Sequence, residues 1–156
     1  MPHINDKIDY TVEVFIVYRN KVLLRKHDKY KLWLSVGGHI ELNEDPNQAA
    51  VREVKEEVGL DIKLDDRLRE FREKDHTIEL IPPYYLNRNP ITKKHEHVTF
   101  VYFAMSLTDQ ISETVEEEKS EECKWFSKKT LGERKDIVPN VKLYALKALE
   151  KLSTKN

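Results

Sequence analysis

The stretch from Gly38 to Leu60 reads GHIELNEDPNQAAVREVKEEVGL, and it determines how the rest of this chain can be interpreted. Asp45 is a good helix N-cap, and Pro46 suits the first helical position, where a missing N–H costs nothing. Gly59 can adopt the left-handed conformation that ends a helix. Because no glycine or proline interrupts residues 47–58, we predict a helix there.

The predicted helix has two faces of different chemistry. At roughly 100° per residue, its apolar side chains fall on one stripe, which comprises Ala50, Val51, Val54 and Val58. Its acidic side chains fall on a second stripe, because separations of three and four residues share a face; this stripe comprises Glu53, Glu56 and Glu57. We expect the apolar stripe to pack on a core, whereas the acidic stripe does not serve packing.

The acidic stripe predicts a bound cation. Acidic residues on a surface helix are usually solvated, and they usually form ion pairs with basic residues three or four positions away. Here the nearby bases, Arg52 and Lys55, lie off the centre of the acidic face. A hard divalent cation relieves the repulsion between the carboxylates and prefers oxygen ligands. An all-oxygen site favours magnesium or manganese over zinc.

The same stretch matches the pattern G-x5-E-x7-R-E-U-x-E-E-x-G-U at every fixed position, where U is an aliphatic residue. It therefore resembles the Nudix box, the signature of the Nudix hydrolase superfamily of MutT-like proteins. The resemblance implies an α+β fold, an α/β/α sandwich with a central mixed β-sheet, and a single Nudix hydrolase domain over residues 1–156. It also implies cleavage of a phosphoanhydride bond in a nucleoside diphosphate that is linked to another group.

The resemblance assigns roles to individual residues. The implied metal ligands are the carbonyl of Gly38 and the carboxylates of Glu53, Glu56 and Glu57. Arg52 would orient these carboxylates by ion pairing, and Glu44 would support the site electrostatically or through the water shell of the metal. The implied cofactor, Mg²⁺ or Mn²⁺, would neutralise the pyrophosphate and make a bound water acidic.

The general base is not settled by the resemblance, because it differs within the family. Glu53 is one candidate, and the other is a glutamate from a loop before the final strand. Residues 113–122 read ETVEEEKSEE and offer Glu117, Glu118 and Glu121. Although an acidic run is usually a solvated loop, we expect at least one of these carboxylates to reach the site, and we assign Glu118 as a metal ligand.

Residues outside the box are candidates for substrate contacts. Arg25 ends a predicted strand, where MutT-like members often carry an arginine near the phosphates; the alternative is a solvated base. Asn140 follows a proline, as does the asparagine with which members acting on oxidised guanine nucleotides read the base; the alternative is a plain helix N-cap. Tyr84 could stack on a base or pack a loop, and His39 could lie near the phosphates.

Two further histidines, His95 and His97, lie two positions apart on a predicted strand and therefore share a face. A His-x-His pair can bind zinc, but neither a cysteine nor a third histidine follows at ligand spacing. We therefore favour pocket polarity or plain surface over a zinc site for this pair.

The remaining pattern predicts alternating elements. Strands are expected at residues 10–18, 21–25, 33–36, within 62–72, at 98–105 and at 123–126. Prolines at 82, 83 and 90 exclude segment 78–90 from the centre of a sheet. A last helix is expected over residues 140–152, with an apolar stripe formed by Val141, Ala145, Ala148, Leu149 and Leu152.

The composition narrows the classes of protein. The 156 residues can bury a substantial core, and the net charge of −1 argues against nucleic-acid binding. No apolar stretch is long enough to span a membrane, and no signal peptide is expected. With one cysteine, Cys123, an internal disulfide is excluded, and we expect a cytoplasmic protein. The expected partner is a small-molecule nucleotide, and a homodimer is an assembly to consider, since family members are often dimers.

We therefore predict a magnesium-dependent hydrolase that cleaves a nucleoside triphosphate, including an oxidised purine one, to the monophosphate and pyrophosphate. ADP-ribose or a nucleotide sugar is the alternative substrate for the same reaction type. The alternative of a different class is a non-catalytic Nudix module that senses a nucleotide. Such modules typically lose Arg52, Glu56 or Glu57, and all three are present.

Overall fold

The computed structural model describes residues 3–112 and 122–154 of the chain. Within these residues the strands are β1 (Ile8–Tyr18), β2 (Lys21–Lys26), β3 (Trp33–Leu34), β4 (Val36–His39), β5 (Ile62–Leu64), β6 (Glu73–Lys74), β7 (Thr77–Ile78), β8 (Tyr85–Pro90), β9 (Glu96–Ser106) and β10 (Glu122–Ser127). The helices are α1 (Pro46–Val58), α2 (Lys128–Glu133) and α3 (Pro139–Leu152).

A mixed sheet of eight strands forms the centre of the described residues, and β6 and β7 form a separate hairpin. The sheet runs in the order β10, β2, β1, β9 and β5. β4 pairs with the middle of β1, and β8 pairs with the first half of β9. Among the strands of the described residues, only β1 and β9 run parallel, from Ile8 opposite Glu96 to Val17 opposite Met105. This long parallel pair brings together residues that are far apart in the sequence.

The box helix has the ends that the sequence predicts. The side chain of Asp45 accepts a hydrogen bond from the backbone N–H of Gln48, and the Gln48 side chain accepts one from the N–H of Asp45. This capping box satisfies two N–H groups that the first turn leaves unpaired. Gly59 ends α1 with a φ of 70°, as predicted. Asn43, in the turn before the helix, also has a left-handed φ of 71°.

Two helices cover opposite faces of the sheet because side chains alternate along each strand. Val14 and Ile16 of β1 pack with Val54 and Val58 of α1 on one face. Phe15 of β1 packs in the second core, on the other face, which also contains Phe103, Val141, Ala145 and Ala148. The predicted α/β/α sandwich with a mixed sheet is therefore confirmed. None of the described helices is both long enough and apolar enough to cross a membrane.

Several details differ from the sequence-based prediction. Val51 was expected in the packed stripe but is 44% exposed, and Ala49 is buried in its place. The short helix α2 and the β6–β7 hairpin were missed, since neither carries a long periodic pattern. Residues 85–90 do form a strand, but it pairs on one side only within the described residues, as its proline requires.

Gly59→Ala tests the left-handed end of α1. A Cβ at this position would lie 2.0 Å from the Oγ of Ser112, and alanine is strained at a φ of 70°. We expect the free energy of unfolding to fall by about 1–3 kcal/mol in urea denaturation. The matched control is Gly132→Ala in α2, where a Cβ would meet nothing within 4 Å. That substitution should leave stability unchanged or raise it by up to about 1 kcal/mol. Equal effects of the two substitutions would refute this account.

Candidate active site

Arg52 holds the carboxylates of the box in a single network. Its guanidinium binds Glu44 through two hydrogen bonds, from Nε at 3.0 Å and from Nη2 at 2.7 Å. Nη1 donates to Glu53 at 2.9 Å and to Glu56 at 3.0 Å. Nη2 also donates to the carbonyl of His39 at 2.9 Å, which ties α1 to β4. These are the contacts that the predicted orienting role requires.

The charges of this network reinforce one another. The hydrogen bond between Arg52 and Glu44 raises the pKa of Arg52 above its ordinary value. The same bond lowers the pKa of Glu44, which therefore stays ionised at neutral pH. Bidentate arginine–carboxylate pairs are geometrically specific as well as strong. Arg52 is therefore restrained from several directions, and it restrains Glu53 and Glu56 in turn.

Two of the box carboxylates are buried, which is costly unless each is paired. Glu53 is 1% exposed and contacts Arg52, whereas Glu57 is 8% exposed and forms an ion pair of 2.8 Å with Arg25. Glu57 also accepts a hydrogen bond of 3.2 Å from the backbone N–H of Gly37. Arg25, which we predicted near the substrate phosphates, thus lies beside a predicted metal ligand.

Gly38 allows the backbone of β4 to approach these carboxylates closely. A Cβ at this position would lie 2.4 Å from Oε1 of Glu53. Any other residue would therefore displace Glu53 or the strand. Together with Glu56 and Glu57, this arrangement offers only oxygen donors, which suits Mg²⁺ or Mn²⁺. The residues present therefore fit a divalent cation of this type.

The acidic loop candidates cannot be placed beside this network. Glu117, Glu118 and Glu121 lie outside the described residues, so the assignment of Glu118 as a metal ligand stays a prediction. Glu56 lies at the outer rim of the network, with 41% of its side chain exposed.

A cavity of about 470 Å³ lies on the α3 side of the sheet, next to Gly37 and Gly38. Glu13 and Asn89 line it from the strands, and Asn140 lines it from the start of α3. Burial raises the pKa of Glu13 to about 7. The Oε2 atom of Glu13 is buried and has no hydrogen-bond partner among residues 3–112 and 122–154. This cavity therefore presents polar groups that a ligand can satisfy.

Asn140 does not cap its helix. The N-cap of α3 is Val138, and no side chain makes a capping hydrogen bond there. The alternative interpretation of Asn140 as a plain N-cap was therefore wrong, because Pro139 already occupies the first turn. Its amide is exposed at the cavity wall.

Two other predicted substrate contacts lie elsewhere. Tyr84 donates a hydrogen bond to Asp65, and its ring stacks on Phe103 with centroids 4.6 Å apart. It is absent from the described lining of the cavity. The imidazole of His39 lies 3.2 Å from the carboxylate of Asp9, on the face of the sheet opposite Glu53. It reaches the cavity wall, away from the network around Arg52.

The sequence-based search missed Glu13 and Asn89. A signal for Glu13 is present, because Asp9, Thr11 and Glu13 alternate along β1 on the face that continues as Phe15. Where polar residues occupy the core-facing positions of a strand, they indicate a binding site at that end of the strand. Asn89 carries no comparable signal, because its position depends on the pairing of β8 with β9.

The model of the NUDIX domain matches residues 8–147 of the chain. This chain belongs to the Nudix family. Among solved structures, it is similar to a NUDIX-family hydrolase from Clostridium perfringens, with 36% identity and a TM-score of 0.84. That alignment covers 93% of this Nudix chain and 98% of the other. The sandwich and the position of the box helix are therefore family features.

Two further similarities concern proteins with more specific names. A probable DHNTP pyrophosphohydrolase from Lactococcus lactis subsp. cremoris (strain MG1363) is 30% identical over 114 residues, which is 72% of this chain. The matched region is 63% of that relative's length. The E. coli dihydroneopterin triphosphate pyrophosphohydrolase shares the Nudix fold, with 19% identity, a TM-score of 0.62 and coverage of 94% and 97% of the two chains.

Glu57→Gln tests the carboxylate network. The amide keeps the size of the side chain and can accept the hydrogen bond from Gly37, but it removes a charged oxygen ligand. We expect turnover with Mg²⁺ to fall at least about a hundredfold, while circular dichroism shows a folded protein. Glu150→Gln, the same chemical change on the exposed face of α3, serves as the control. Near-normal turnover of the Glu57 variant would exclude Glu57 as a ligand.

Proposed function

We propose that this Nudix protein is a magnesium-dependent pyrophosphohydrolase that cleaves a nucleoside triphosphate to the monophosphate and pyrophosphate. The observation that carries the proposal is the network in which Arg52 orders Glu44, Glu53 and Glu56 beside Gly38. Because Arg52 holds these carboxylates together in fixed positions, their oxygens are arranged to bind a metal cation. No other group of described side chains offers comparable chemistry for a phosphoanhydride.

The residues divide the catalytic work between them. Gly38, Glu53, Glu56 and Glu57 would hold Mg²⁺, which would neutralise phosphate oxygens and acidify a water. Arg52 keeps Glu53 and Glu56 oriented, and Arg25 forms an ion pair with the buried Glu57. Glu53 is one candidate for the general base, and a carboxylate from segment 113–122 is the second.

We assign the base of the substrate to the cavity that Glu13 and Asn140 line. A carboxylate at its wall accepts two N–H bonds from one edge of a ring, such as the amide N–H and the exocyclic amine of guanine. A pterin carries the same pair of donors, which agrees with the DHNTP for which the Lactococcus relative is named. The amide of Asn140 can complement a neighbouring carbonyl or N–H. We therefore favour a guanine-like or pterin triphosphate.

A second cavity, of about 830 Å³, lies along the outer side of α1. Its described lining includes Arg52 and Glu56 together with Arg69 and Arg72, but neither Gly38 nor Asn140. We do not assign the base to it, because its described lining contains no buried polar group without a partner, whereas the smaller cavity contains Glu13.

Product analysis tests the reaction. The protein is incubated with Mg²⁺ and a panel of GTP, ATP, UTP, dihydroneopterin triphosphate, ADP-ribose and UDP-glucose, and the phosphate products are resolved. We expect pyrophosphate with a monophosphate from the guanine and pterin triphosphates. Two monophosphate-bearing fragments from ADP-ribose, with the triphosphates intact, would overturn the proposal in favour of the alternative substrate class. Nucleotide binding without any product would indicate a sensing module.

Glu13→Gln tests the base assignment. The new amide replaces one acceptor oxygen with a donor that faces the N–H groups of the base. We expect the KM for the preferred guanine or pterin triphosphate to rise about tenfold to a hundredfold, with kcat little changed. ATP lacks this pair of donors on one edge, so its KM serves as the internal control. An equal change for both substrates would remove Glu13 from base recognition.

Asn140→Ala tests the other side of the cavity. We expect it to raise the KM for purine triphosphates more than the KM for sugar nucleotides, because the amide lines the cavity and caps no helix. Parallel changes for the two classes of substrate would show that Asn140 does not read the base.

A further inference from the structure

Four of the six histidines in this chain gather around one buried carboxylate on the α3 side of the sheet. The carboxylate is Asp9, which is 0% exposed. His39 extends from β4, His97 from β9, and His95 immediately precedes β9. His3 approaches from the segment before β1. We call these five residues the histidine cluster.

The distances within the histidine cluster have an unusual regularity. Oδ2 of Asp9 lies 3.4 Å from Nδ1 of His3, 3.2 Å from Nε2 of His39 and 3.3 Å from Nε2 of His95. The ligand atoms of His3, Asp9, His95 and His97 all lie within 4.8 Å of one another. A tetrahedron with zinc–ligand bonds of about 2.0–2.1 Å has edges of about 3.3–3.4 Å. The distances from Asp9 to His3 and to His95 match such an edge, and the donor atom of His97 belongs to the same group.

Pairing with Asp9 accounts for only part of this convergence. Nε2 of His39 lies 3.2 Å from the Asp9 carboxylate and pairs with it, whereas the Nε2 atoms of His95 and His97 are buried and make no hydrogen bond within the described residues. His95 is 4% exposed, so water does not readily replace a missing partner. Buried polar atoms usually have partners, and two such nitrogens beside one carboxylate call for an explanation.

The tautomer of His95 prevents a hydrogen bond from its Nε2 atom to Asp9 when the ring is neutral. Its Nδ1 lies 3.1 Å from the carbonyl oxygen of Asp6, which can only accept, so Nδ1 carries the proton. In the neutral ring, Nε2 then presents a lone pair to the carboxylate of Asp9, and the two repel. A cation between them converts that repulsion into two bonds. Metal-binding histidines are commonly oriented in this way, with the second ring nitrogen donating to a carbonyl.

The protonation state of His97 also suits a metal. Burial lowers the pKa of His97 to about 4, so its ring is neutral at neutral pH and its nitrogens can bind an ion. Oδ1 of Asp9 accepts a hydrogen bond of 2.7 Å from the backbone N–H of Asn5, and Oδ2 accepts one of 3.1 Å from the N–H of Ile4, so the carboxylate is fixed beside the histidines. His3 has 45% of its side chain exposed and leaves an approach from solvent.

We propose that Asp9, His95, His97 and His3 bind a divalent transition-metal ion, with zinc as the best match. Three imidazoles and one carboxylate are a common zinc ligand set, whereas Mg²⁺ prefers the all-oxygen network around Arg52. His39 lies against the same carboxylate oxygen and lines the base cavity. The proposal does not depend on the acidic network around Arg52, since it concerns the other face of β4, but His97 also lines the cavity proposed for the base.

Metal titration without substrate tests the proposal. Untagged protein is stripped with a chelator and titrated with Zn²⁺ alone in a calorimeter, in a Glu57→Gln background that weakens the acidic site. We expect one ion per chain. Substitution of Co²⁺ should give the intense visible absorption of a tetrahedral site with nitrogen and oxygen ligands. Inductively coupled plasma analysis of dialysed protein gives the stoichiometry independently.

The variants decide which residues bind the ion. His95→Ala with His97→Ala should abolish binding, and His3→Ala should weaken it at least about tenfold. His76→Ala, an exposed histidine in the β6–β7 turn, is the matched control and should bind as the parent does. If the double variant fails to fold by circular dichroism, the half-exposed His3 decides the question. Unchanged Zn²⁺ affinity in His3→Ala and in a folded double variant, or no Zn²⁺ binding by the parent, would overturn the proposal.

Discussion

The acidic face of α1 depends on the hydrogen bonds and ion pairs that the guanidinium of Arg52 makes. This guanidinium joins Glu44 from the turn before α1, Glu53 and Glu56 from α1 itself, and the carbonyl of His39 from β4. Buried or half-buried acids repel one another, so this arrangement exists only because a delocalised cation of fixed geometry lies between them. The same cation restrains the helix against the strand, and the position of the carboxylates follows from that restraint.

Because side chains alternate along each strand, the two faces of the sheet differ in chemistry. Successive residues of β4 point to opposite faces, so Gly38 opens towards Glu53 while His39 points to Asp9. β1 behaves in the same way, with Val12 and Val14 in the core under α1 and Thr11 and Glu13 on the other side. An oxygen-rich network and a nitrogen-rich cluster can therefore lie close together without competing for the same ion.

How much the sequence could predict depended on how far apart the interacting residues lie along it. The box helix and its caps involve neighbours within one segment, so the predictions there were confirmed apart from Val51, whereas the cation at the acid face stays a prediction. Asn140 was predicted to read the base, and it lies at the wall of the cavity, but that contact stays a prediction. The sequence did not predict the gathering of four histidines around Asp9, because Asp9 lies opposite His97 only through the parallel pairing of β1 with β9. Tyr84 was proposed for stacking on a base, yet Asp65 and Phe103 hold it at the edge of the core.

The short strand β4 also limits how this protein can change in evolution. Val36 and Gly38 face α1, where Val36 packs in the core and Gly38 lets the backbone approach Glu53. His39 faces the other side of the sheet, where it belongs to the histidine cluster. Loss or gain of one residue in β4 would exchange the two faces, placing an imidazole against Glu53 and a glycine against Asp9. Both sites would fail together, whereas point substitutions can remove either one alone.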